Sequence, residues 1–394
     1  MEPAATLYGG AVRLYAGDCR EILRALPEAS VHLVVTSPPY FGLRAYKVPA
    51  SLWGGEPGHE HVWGTEGRAR TGRDWDPTAG DSPVIRDYAA STGASCSCGA
   101  WRGTLGNEPR VDLYVAHLVE VFREVWRVLR SDGSVYLVLG DSYAANRGYQ
   151  VPDSKHTDVG NSAGMRAADL GRGVKPKDLL GIPWLAAFAL RDAGWWLREE
   201  IIWDKANPMP SSARDRCTRA HEHVFHLTRA ERYFYDADAS AEPAIHAGET
   251  GALGEKSLSR GQASGQGIAP SGNGRAASVV VAATRNRRDV WRLTSEPFPE
   301  AHFAVMPTAL VEPCVLAGTS AKGCCRSCGA PWERVVERSS VNLSNAAKAG
   351  HKSEGKYPTP AGWDTGPGAH TSIVGRYDHR SQIREDHDVR DGPT

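Results

Sequence analysis

Apolar residues in the first third of the chain form short continuous runs and one longer stretch with helical spacing. The run VHLVVT at 31–36 is β-branched and stops at two prolines, which predicts a strand buried on both faces. Residues 111–130 carry one broad apolar stripe, from Leu113 and Ala116 to Leu129, and predict a helix that ends at 131–133. The run SVYLVLGD then predicts a second buried strand.

The same alternation continues at both sides of this region. A short helix broken by Pro27 is predicted within 19–30, and further helices over 177–194 and 309–318. Strands are predicted over 7–18, 195–207 and 221–236. Strands that alternate with helices are typical of an α/β fold with an open, mostly parallel sheet. In such sheets ligands bind beyond the carboxyl ends of the strands, where Asp18, Ser37 and Asp141 are expected.

Composition narrows the class of protein. Hydrophobic residues make up 41% of the 394 positions, enough for a sizeable core. No apolar run is long enough to span a membrane, and the N-terminus lacks the apolar centre of a signal peptide, so we expect a cytoplasmic protein with reduced thiols. The 46 basic residues balance 46 acidic ones, which excludes only a uniformly basic nucleic-acid binder.

The segment Ser37-Pro38-Pro39-Tyr40 has unusual chemistry for the end of a strand. Two prolines fix the backbone and remove two N–H donors, so the turn presents carbonyl oxygens and a hydroxyl as acceptors. Tyr40 adds a flat aromatic face. The ligand that best matches these acceptors and this aromatic face is a planar ring with an exocyclic amine. The alternative is a plain strand-ending turn whose tyrosine packs on the core.

The SPPY segment resembles the catalytic motif of DNA amino-methyltransferases, which methylate cytosine N4 or adenine N6 with S-adenosylmethionine. LYAGDCREILRALPEASVHLVVTSPPYFGLRAY, FREVWRVLRSDGSVYLVLGDSYA, IIWDKANPMP and RNRRDVW follow in the order of the circularly permuted members, and the likeness spans roughly 7–335. It implies a Rossmann-like S-adenosylmethionine-dependent sheet with large loop insertions, a double-stranded DNA partner and a role in restriction-modification. Serine at position 37 is more usual in the cytosine-N4 enzymes, and adenine N6 is the alternative.

The resemblance also assigns residues to the site. Ser37, Pro38, Pro39 and Tyr40 would be catalytic, with the tyrosine stacking on a flipped base. Asp18 would accept a hydrogen bond from the adenine amine of the cofactor, Asp141 would lie beside it, and His302 and Phe303 would precede a helix along its methionine part. The alternatives are a helix cap at Asp18 and a plain turn at Asp141.

The chain divides into six segments on this interpretation. Residues 1–46 begin the methyltransferase sheet and hold the catalytic motif, 47–110 form an insertion, 111–236 continue the core, 237–300 are a low-complexity and target-recognition region, 301–338 hold a helix and a zinc-knuckle-like turn, and 339–394 are a disordered tail.

One motif of the permuted family is missing. The glycine-rich cofactor loop, Asp-Pro-Phe-x-Gly-x-Gly, does not occur after residue 335, so the sheet is expected to be incomplete by two strands. A partner chain or a downstream segment would then supply the loop. The alternative is a non-catalytic DNA-binding remnant.

Two cysteine groups are candidate zinc ligands. His59, His61, Cys96 and Cys98 in the insertion would close a tetrahedral site, although Cys-x-Cys replaces the more usual Cys-x-x-Cys. Cys325 and Cys328 have knuckle spacing but no second pair downstream. The alternative for both groups is a set of free thiols.

Overall fold

The structure is a computed structural model. It describes residues 2–42, 48–64, 68–74, 86–91, 93–144, 173–175, 177–211, 213–245, 250–252, 278–280, 283–296, 305–335, 338–339, 370–371 and 376–379.

The described residues include four α-helices, a 3₁₀ turn at Tyr8–Gly10 and twenty strands. The helices are α1 Cys19–Ala25, α2 Val111–Val128, α3 Ile182–Asp192 and α4 Thr308–Gly318. The strands of the first part of the chain are β1 Ala5–Leu7, β2 Val12–Leu14, β3 Val31–Thr36, β4 Ser51–Trp53, β5 Arg68–Asp74, β6 Arg86–Ser91, β7 Ala94–Ser95, β8 Trp101–Gly103, β9 Leu129–Leu139 and β10 Trp196–Lys205. The later strands are β11 His221–Thr228, β12 Glu242–Pro243, β13 Thr250–Ala252, β14 Ser278–Val280, β15 Thr284–Arg285, β16 Val290–Leu293, β17 Trp332–Val335, β18 Arg338–Ser339, β19 His370–Thr371 and β20 Arg376–His379.

A five-stranded sheet in the order β16-β10-β11-β9-β3 forms the centre. β3 is parallel to β9, and β10 is parallel to β16, whereas β11 runs antiparallel to both of its neighbours. The predicted α/β class with a mostly parallel sheet is confirmed, with β11 as the one reversed strand of this sheet.

The alternation of β9 builds a core on each face of the sheet. Val135, Leu137 and Leu139 join α2 and α3 in one apolar cluster, and Tyr136 and Val138 join a second cluster with α4. Successive side chains of a strand point to opposite faces, so a strand with apolar residues at every position must be covered on both. The continuous apolar run predicted this burial correctly.

The burial predicted for β3 is wrong. All six of its residues are partly exposed, whereas β9 is buried from Gly133 to Leu139. β3 is an edge strand that pairs only with β9 among the described strands. An edge strand leaves one row of backbone groups unpaired and one flank of its side chains open.

Helix boundaries differ from the prediction in two places. The buried face of α2 is set by Tyr114, Leu118 and Val121, and Ala116 is exposed. β9 begins directly after α2, so 131–133 form an irregularity inside the strand instead of a loop. α3 begins at Ile182, five residues later than predicted, because Gly181 has a φ of +71° and Pro183 suits only the first turn of a helix.

The N-terminal segment is a hairpin and not the single strand predicted over 7–18. β1 and β2 pair antiparallel in a sheet of their own, and the 3₁₀ turn between them passes through Gly9 at a φ of +65°. Adjacent glycines at 9 and 10 make this reversal inexpensive.

The insertion shares the apolar cluster of α2. β4, β8 and β7 form a three-stranded sheet, and β5 and β6 form a hairpin. Trp53 and Trp101 are 3% and 1% exposed and stack on His117 of α2, with ring centroids 4.7 and 5.3 Å apart. The insertion is thereby packed onto the helix that supports the central sheet.

The chain forms two compact units, Met1–Phe234 with Asp289–Gly318, and Tyr235–Arg288 with Thr319–Thr394. The first unit takes in 289–318, which the sequence had divided between two segments. In the second unit, β19 pairs with β18 and β20 pairs with β17, both antiparallel. Among the described residues, no helix combines the length and the apolar character that crossing a membrane requires.

Candidate active site

Four chain segments meet at the carboxyl edge of the central sheet. Ser37 follows β3 and Asp141 follows β9, and because these strands are parallel both residues lie at the same edge. Lys205 ends β10, and Glu222 lies near the start of the reversed strand β11, opposite Trp203. The reversal of β11 is what brings Glu222 to this edge.

A chain of hydrogen bonds starts at the SPPY motif. The Ser37 hydroxyl donates to Tyr40 Oη at 3.3 Å, and Tyr40 Oη donates to Glu222 Oε2 at 2.7 Å. Lys205 Nζ forms an ion pair with the other carboxylate oxygen of Glu222. Burial raises the pKa of Tyr40 well above its usual value of 10.0, and the negative charge of Glu222 raises this pKa further. Tyr40 is therefore a protonated donor at neutral pH.

The carboxylate determines the direction of the whole chain. An ionised carboxylate only accepts hydrogen bonds, so Tyr40 must give its single hydroxyl hydrogen to Glu222. Tyr40 Oη is then left to accept from Ser37. With its hydrogen committed to Tyr40, the Ser37 oxygen offers lone pairs to any further partner. This arrangement makes Ser37 an acceptor for an incoming N–H group.

Close backbone packing holds the motif in place. Tyr114 of α2 donates to the Pro39 carbonyl at 2.8 Å, and the Gly42 amide donates to the Gly106 carbonyl at 2.8 Å. A Cβ at Gly140 would lie 2.7 Å from the Tyr40 ring, so only glycine allows the ring its position beside β9. A Cβ at Gly106 would lie 3.1 Å from the Tyr40 carbonyl oxygen. The insertion, α2 and the residue after β9 thus converge on one turn.

Asp141 holds the start of α3. Its carboxylate accepts from the backbone amides of Ser142, Gly181 and Ile182 at 2.8 to 3.0 Å, and Arg219 lies 3.8 Å from it. These contacts place Asp141 at the predicted edge but give it a capping role. Its role toward a cofactor stays a prediction.

Asp18 caps α1, which was the alternative to its cofactor role. It accepts from the Arg20 amide at 2.9 Å and from the Arg20 guanidinium at 2.8 and 3.2 Å. These hydrogen bonds lower its pKa from 3.8 to about 2. Arg20 also pairs with Glu120 and lies 3.7 Å from the ring centre of Trp53, so the cap joins α1, α2 and the insertion.

Residues outside the hydrogen-bond chain differ in their surroundings. His302 and Phe303 lie outside the described residues. Trp203 is buried in the second apolar cluster and donates to the Leu293 carbonyl, so it is a core residue. Arg216 stacks over the ring of Tyr143, two residues after Asp141, and Arg214 beside it is exposed. This loop puts positive charge close to the carboxyl edge of the sheet.

The two candidate metal groups differ in the structure. His59, His61, Cys96 and Cys98 come together, with their ligand atoms all within 4.8 Å of one another. Cys325 and Cys328 form a tight turn closed by a hydrogen bond from the Gly329 amide to the Cys325 carbonyl. Within the described ranges, no group of three or more metal-ligating side chains includes this second pair.

Glu222, Lys205 and Tyr114 were not found from the sequence. Glu222 sits in HEHVFH, where the alternation indicates only a strand. Its place in the site depends on which strands flank β11 and in which direction it runs, and neither is encoded in local spacing. The glycine at 140, directly after a buried strand, was the one local signal of a close approach.

A family model described as DNA methylase matches residues 31–325. The chain is 34% identical over 309 residues to the Type II methyltransferase M.Cfr9I of Citrobacter freundii, covering 78% of this chain and 72% of that protein. It is 32% identical over 311 residues to the Type II methyltransferase M.SmaI of Serratia marcescens, covering 79% and 76%. The solved structure of the PvuII DNA methyltransferase, described as cytosine-N4-specific, superposes with a TM-score of 0.42 at 16% identity, covering 81% of this chain and 73% of that one.

Proposed function

Because the chain belongs to the N6/N4 family of DNA methylases, we propose that it methylates the exocyclic amine of a base in double-stranded DNA, with cytosine N4 as the target atom. The observation that carries the proposal is the carboxylate-directed hydrogen-bond chain from Glu222 through Tyr40 to Ser37. It provides an acceptor where the family motif would receive an amine.

An exocyclic amine of a base is a poor nucleophile, because its lone pair is delocalised into the ring. Hydrogen bonds from the amine to Ser37 Oγ and to the Pro38 carbonyl favour a tetrahedral nitrogen and localise that lone pair. The chain's part in the reaction is electrostatic stabilisation and positioning, without a covalent enzyme intermediate. The rigidity of the two prolines keeps both acceptors in place.

Glu222 acts through Tyr40 as a positioning residue. Its charge fixes which way the two hydroxyls point, and the ion pair with Lys205 holds the carboxylate in place. A neutral partner at 222 could donate as well as accept, and the Ser37 hydroxyl would lose its single direction.

A base paired inside a duplex cannot reach this turn, so the target nucleotide must leave the stack. We propose Tyr40 as its stacking partner, and Arg214 and Arg216 as contacts to the DNA backbone. Both arginines belong to the loop between β10 and β11, which opens at the same edge of the sheet as the motif.

The family implies S-adenosylmethionine as cofactor, and it supplies an electrophilic methyl group when bound. The described residues fit only part of it. Asp18 is the proposed acceptor for the adenine amine, although Arg20 and Ser51 already donate to its carboxylate. The chain has no Asp-Pro-Phe-x-Gly-x-Gly loop, and β3 is an edge among the described strands of its sheet. We propose that a further segment, downstream or on a partner chain, supplies this loop. The chain together with that segment is called the completed enzyme below.

Methyl transfer from tritiated S-adenosylmethionine to duplex DNA tests the function. The completed enzyme should label DNA, and Ser37→Ala should reduce the label at least about tenfold, the effect of one lost transition-state hydrogen bond. Undiminished transfer by both Ser37→Ala and Tyr40→Ala would remove the motif from the chemistry. Sequence-specific DNA binding without any transfer would favour the non-catalytic remnant instead.

A further inference from the structure

The insertion between the SPPY motif and α2 brings four metal-binding side chains to one point. Cys96 Sγ lies 3.4 Å from His59 Nε2, and Cys98 Sγ lies 3.4 Å from His61 Nδ1. All four ligand atoms lie within 4.8 Å of one another. None of these residues belongs to the proposed catalytic site.

The backbone places the two pairs in register. The Gly64 amide donates to the Ser95 carbonyl at 3.0 Å, and Trp63 forms a bridge with Cys96, so the histidine segment runs beside the cysteine segment. The turn at 96–99 brings Cys98 back beside Cys96, and His59 and His61 lie in the segment that leads into Trp63. The Cys-x-Cys pattern is therefore matched by the His-x-His pattern opposite it.

The cysteine pair ends in a turn that fixes the two sulfurs. The Gly99 amide donates to the Cys96 carbonyl at 3.0 Å, and the Cys96 amide donates to the Ala100 carbonyl at 2.8 Å. Gly99 has a φ of +86°, a conformation that glycine adopts without strain. Cys96 is buried and Cys98 is partly buried. Backbone hydrogen bonds thus fix the positions of the two cysteine sulfur atoms.

We propose that His59, His61, Cys96 and Cys98 bind one structural zinc ion. Two thiolates and two imidazoles are a ligand set that zinc takes in tetrahedral geometry, with no position left for substrate. Zinc bonds of roughly 2.0–2.3 Å at tetrahedral angles separate sulfur and nitrogen ligands by about 3.6 Å, close to the two 3.4 Å pairs. Two thiolates also neutralise the charge of the ion, so the site needs no further counter-ion.

The zinc supports the motif from a distance. It ties the segment before β5 to the segment after β6, and so closes the loop that carries the β5–β6 hairpin. Ala100 and Trp101 follow the cysteine turn, and β8 then leads to Gly106, which lies against the Tyr40 carbonyl. Loss of the metal should loosen the insertion while leaving the hydrogen-bond chain of Glu222, Tyr40 and Ser37 chemically intact.

Metal analysis of the full chain, purified without chelators from zinc-supplemented cells, tests the proposal. We expect about one equivalent of zinc, as for a structural site. The double variant Cys96→Ser and Cys98→Ser should lose it, and the matched control Cys325→Ser and Cys328→Ser should keep it. Zinc below about half an equivalent, another transition metal in its place, or zinc unchanged in the Cys96/Cys98 variant would overturn the assignment.

Cobalt substitution keeps the test decisive if the Cys96/Cys98 variant does not fold. Co²⁺ exchanged into the parent protein should show the visible bands of a tetrahedral site and charge transfer from thiolate sulfur. The same spectrum should appear in the Cys325/Cys328 control. A parent spectrum without these features would contradict the proposal. A spectrum that is abolished in the Cys325/Cys328 control but kept in Cys96→Ser would place the metal elsewhere and would also contradict it.

Discussion

Replacing Glu222 by glutamine tests the direction of the hydrogen-bond chain. The change keeps the size of the side chain and removes its charge. A glutamine amide can donate to Tyr40 Oη, in which case Tyr40 donates to Ser37 and the serine oxygen loses an acceptor position. Lys205 also loses its ion-pair partner.

The expected cost follows from the bond that is lost. The 2.7 Å contact between Tyr40 Oη and the Glu222 carboxylate is a hydrogen bond to a charged group, worth about 1.5–3 kcal/mol. If this energy is expressed in the transition state, kcat of the completed enzyme falls about ten- to a hundredfold. KM for DNA and for S-adenosylmethionine should change little, since Glu222 is proposed to contact neither.

Single-turnover methyl transfer measures this effect, and Glu200→Gln is the matched control. Glu200 pairs with His223 in the same sheet, 2.5 Å away, but not with the motif. A second readout is the pKa of Tyr40, followed by near-ultraviolet absorbance against a Tyr40→Phe background. Removing the Glu222 charge should lower that pKa, although burial keeps it raised. A Glu222→Gln rate within about twofold of the parent, with an unchanged tyrosine titration, would refute the reasoning.

Two further predictions concern Asp18 and the cofactor. Asp18→Asn should destabilise the chain by about 1–2 kcal/mol at neutral pH. The folded pKa of Asp18, about 2, lies below the usual 3.8. The difference in stability between the parent and Asp18→Asn should therefore disappear as the pH falls from about 4 to about 2. Urea unfolding across that range checks it, and a gap independent of pH would contradict it. Isothermal titration of this chain alone with S-adenosylmethionine should show no saturable micromolar binding, whereas the completed enzyme should bind; micromolar binding with multiple turnovers by the unaccompanied chain would show that a complete cofactor site is already present.

Sequence patterns predicted correctly the elements whose burial follows from their own apolar residues. β9 was predicted from a continuous apolar run and α2 from apolar residues at helical spacing, and both are buried as expected. The position of the SPPY motif at the end of β3 followed from the same reasoning. The partly exposed β3 was not predictable, since burial at a sheet edge depends on which strand, if any, lies beside it.

Contacts between residues on different strands could not be predicted from the sequence. Glu222 is 182 positions from Tyr40 and meets it only because β11 is reversed and lies between β9 and β10. Asp18 and Asp141 were placed at strand ends, but their hydrogen bonds to helix amides depend on where α1 and α3 begin. The four proposed zinc ligands were identified from residue type and spacing, and their convergence required the pairing of two segments that lack an apolar pattern.

The atom that carries the methyl group is the most direct test of the proposed function. Nucleosides from DNA of cells that produce the completed enzyme can be separated and identified by mass spectrometry. We predict N4-methylcytosine, which should be lost in Ser37→Ala. N6-methyladenine in its place would keep the amine chemistry and overturn the choice of base. Methyl groups on cytosine C5, or exocyclic methylation undiminished in Ser37→Ala, would contradict the claim that the SPPY turn receives an amine.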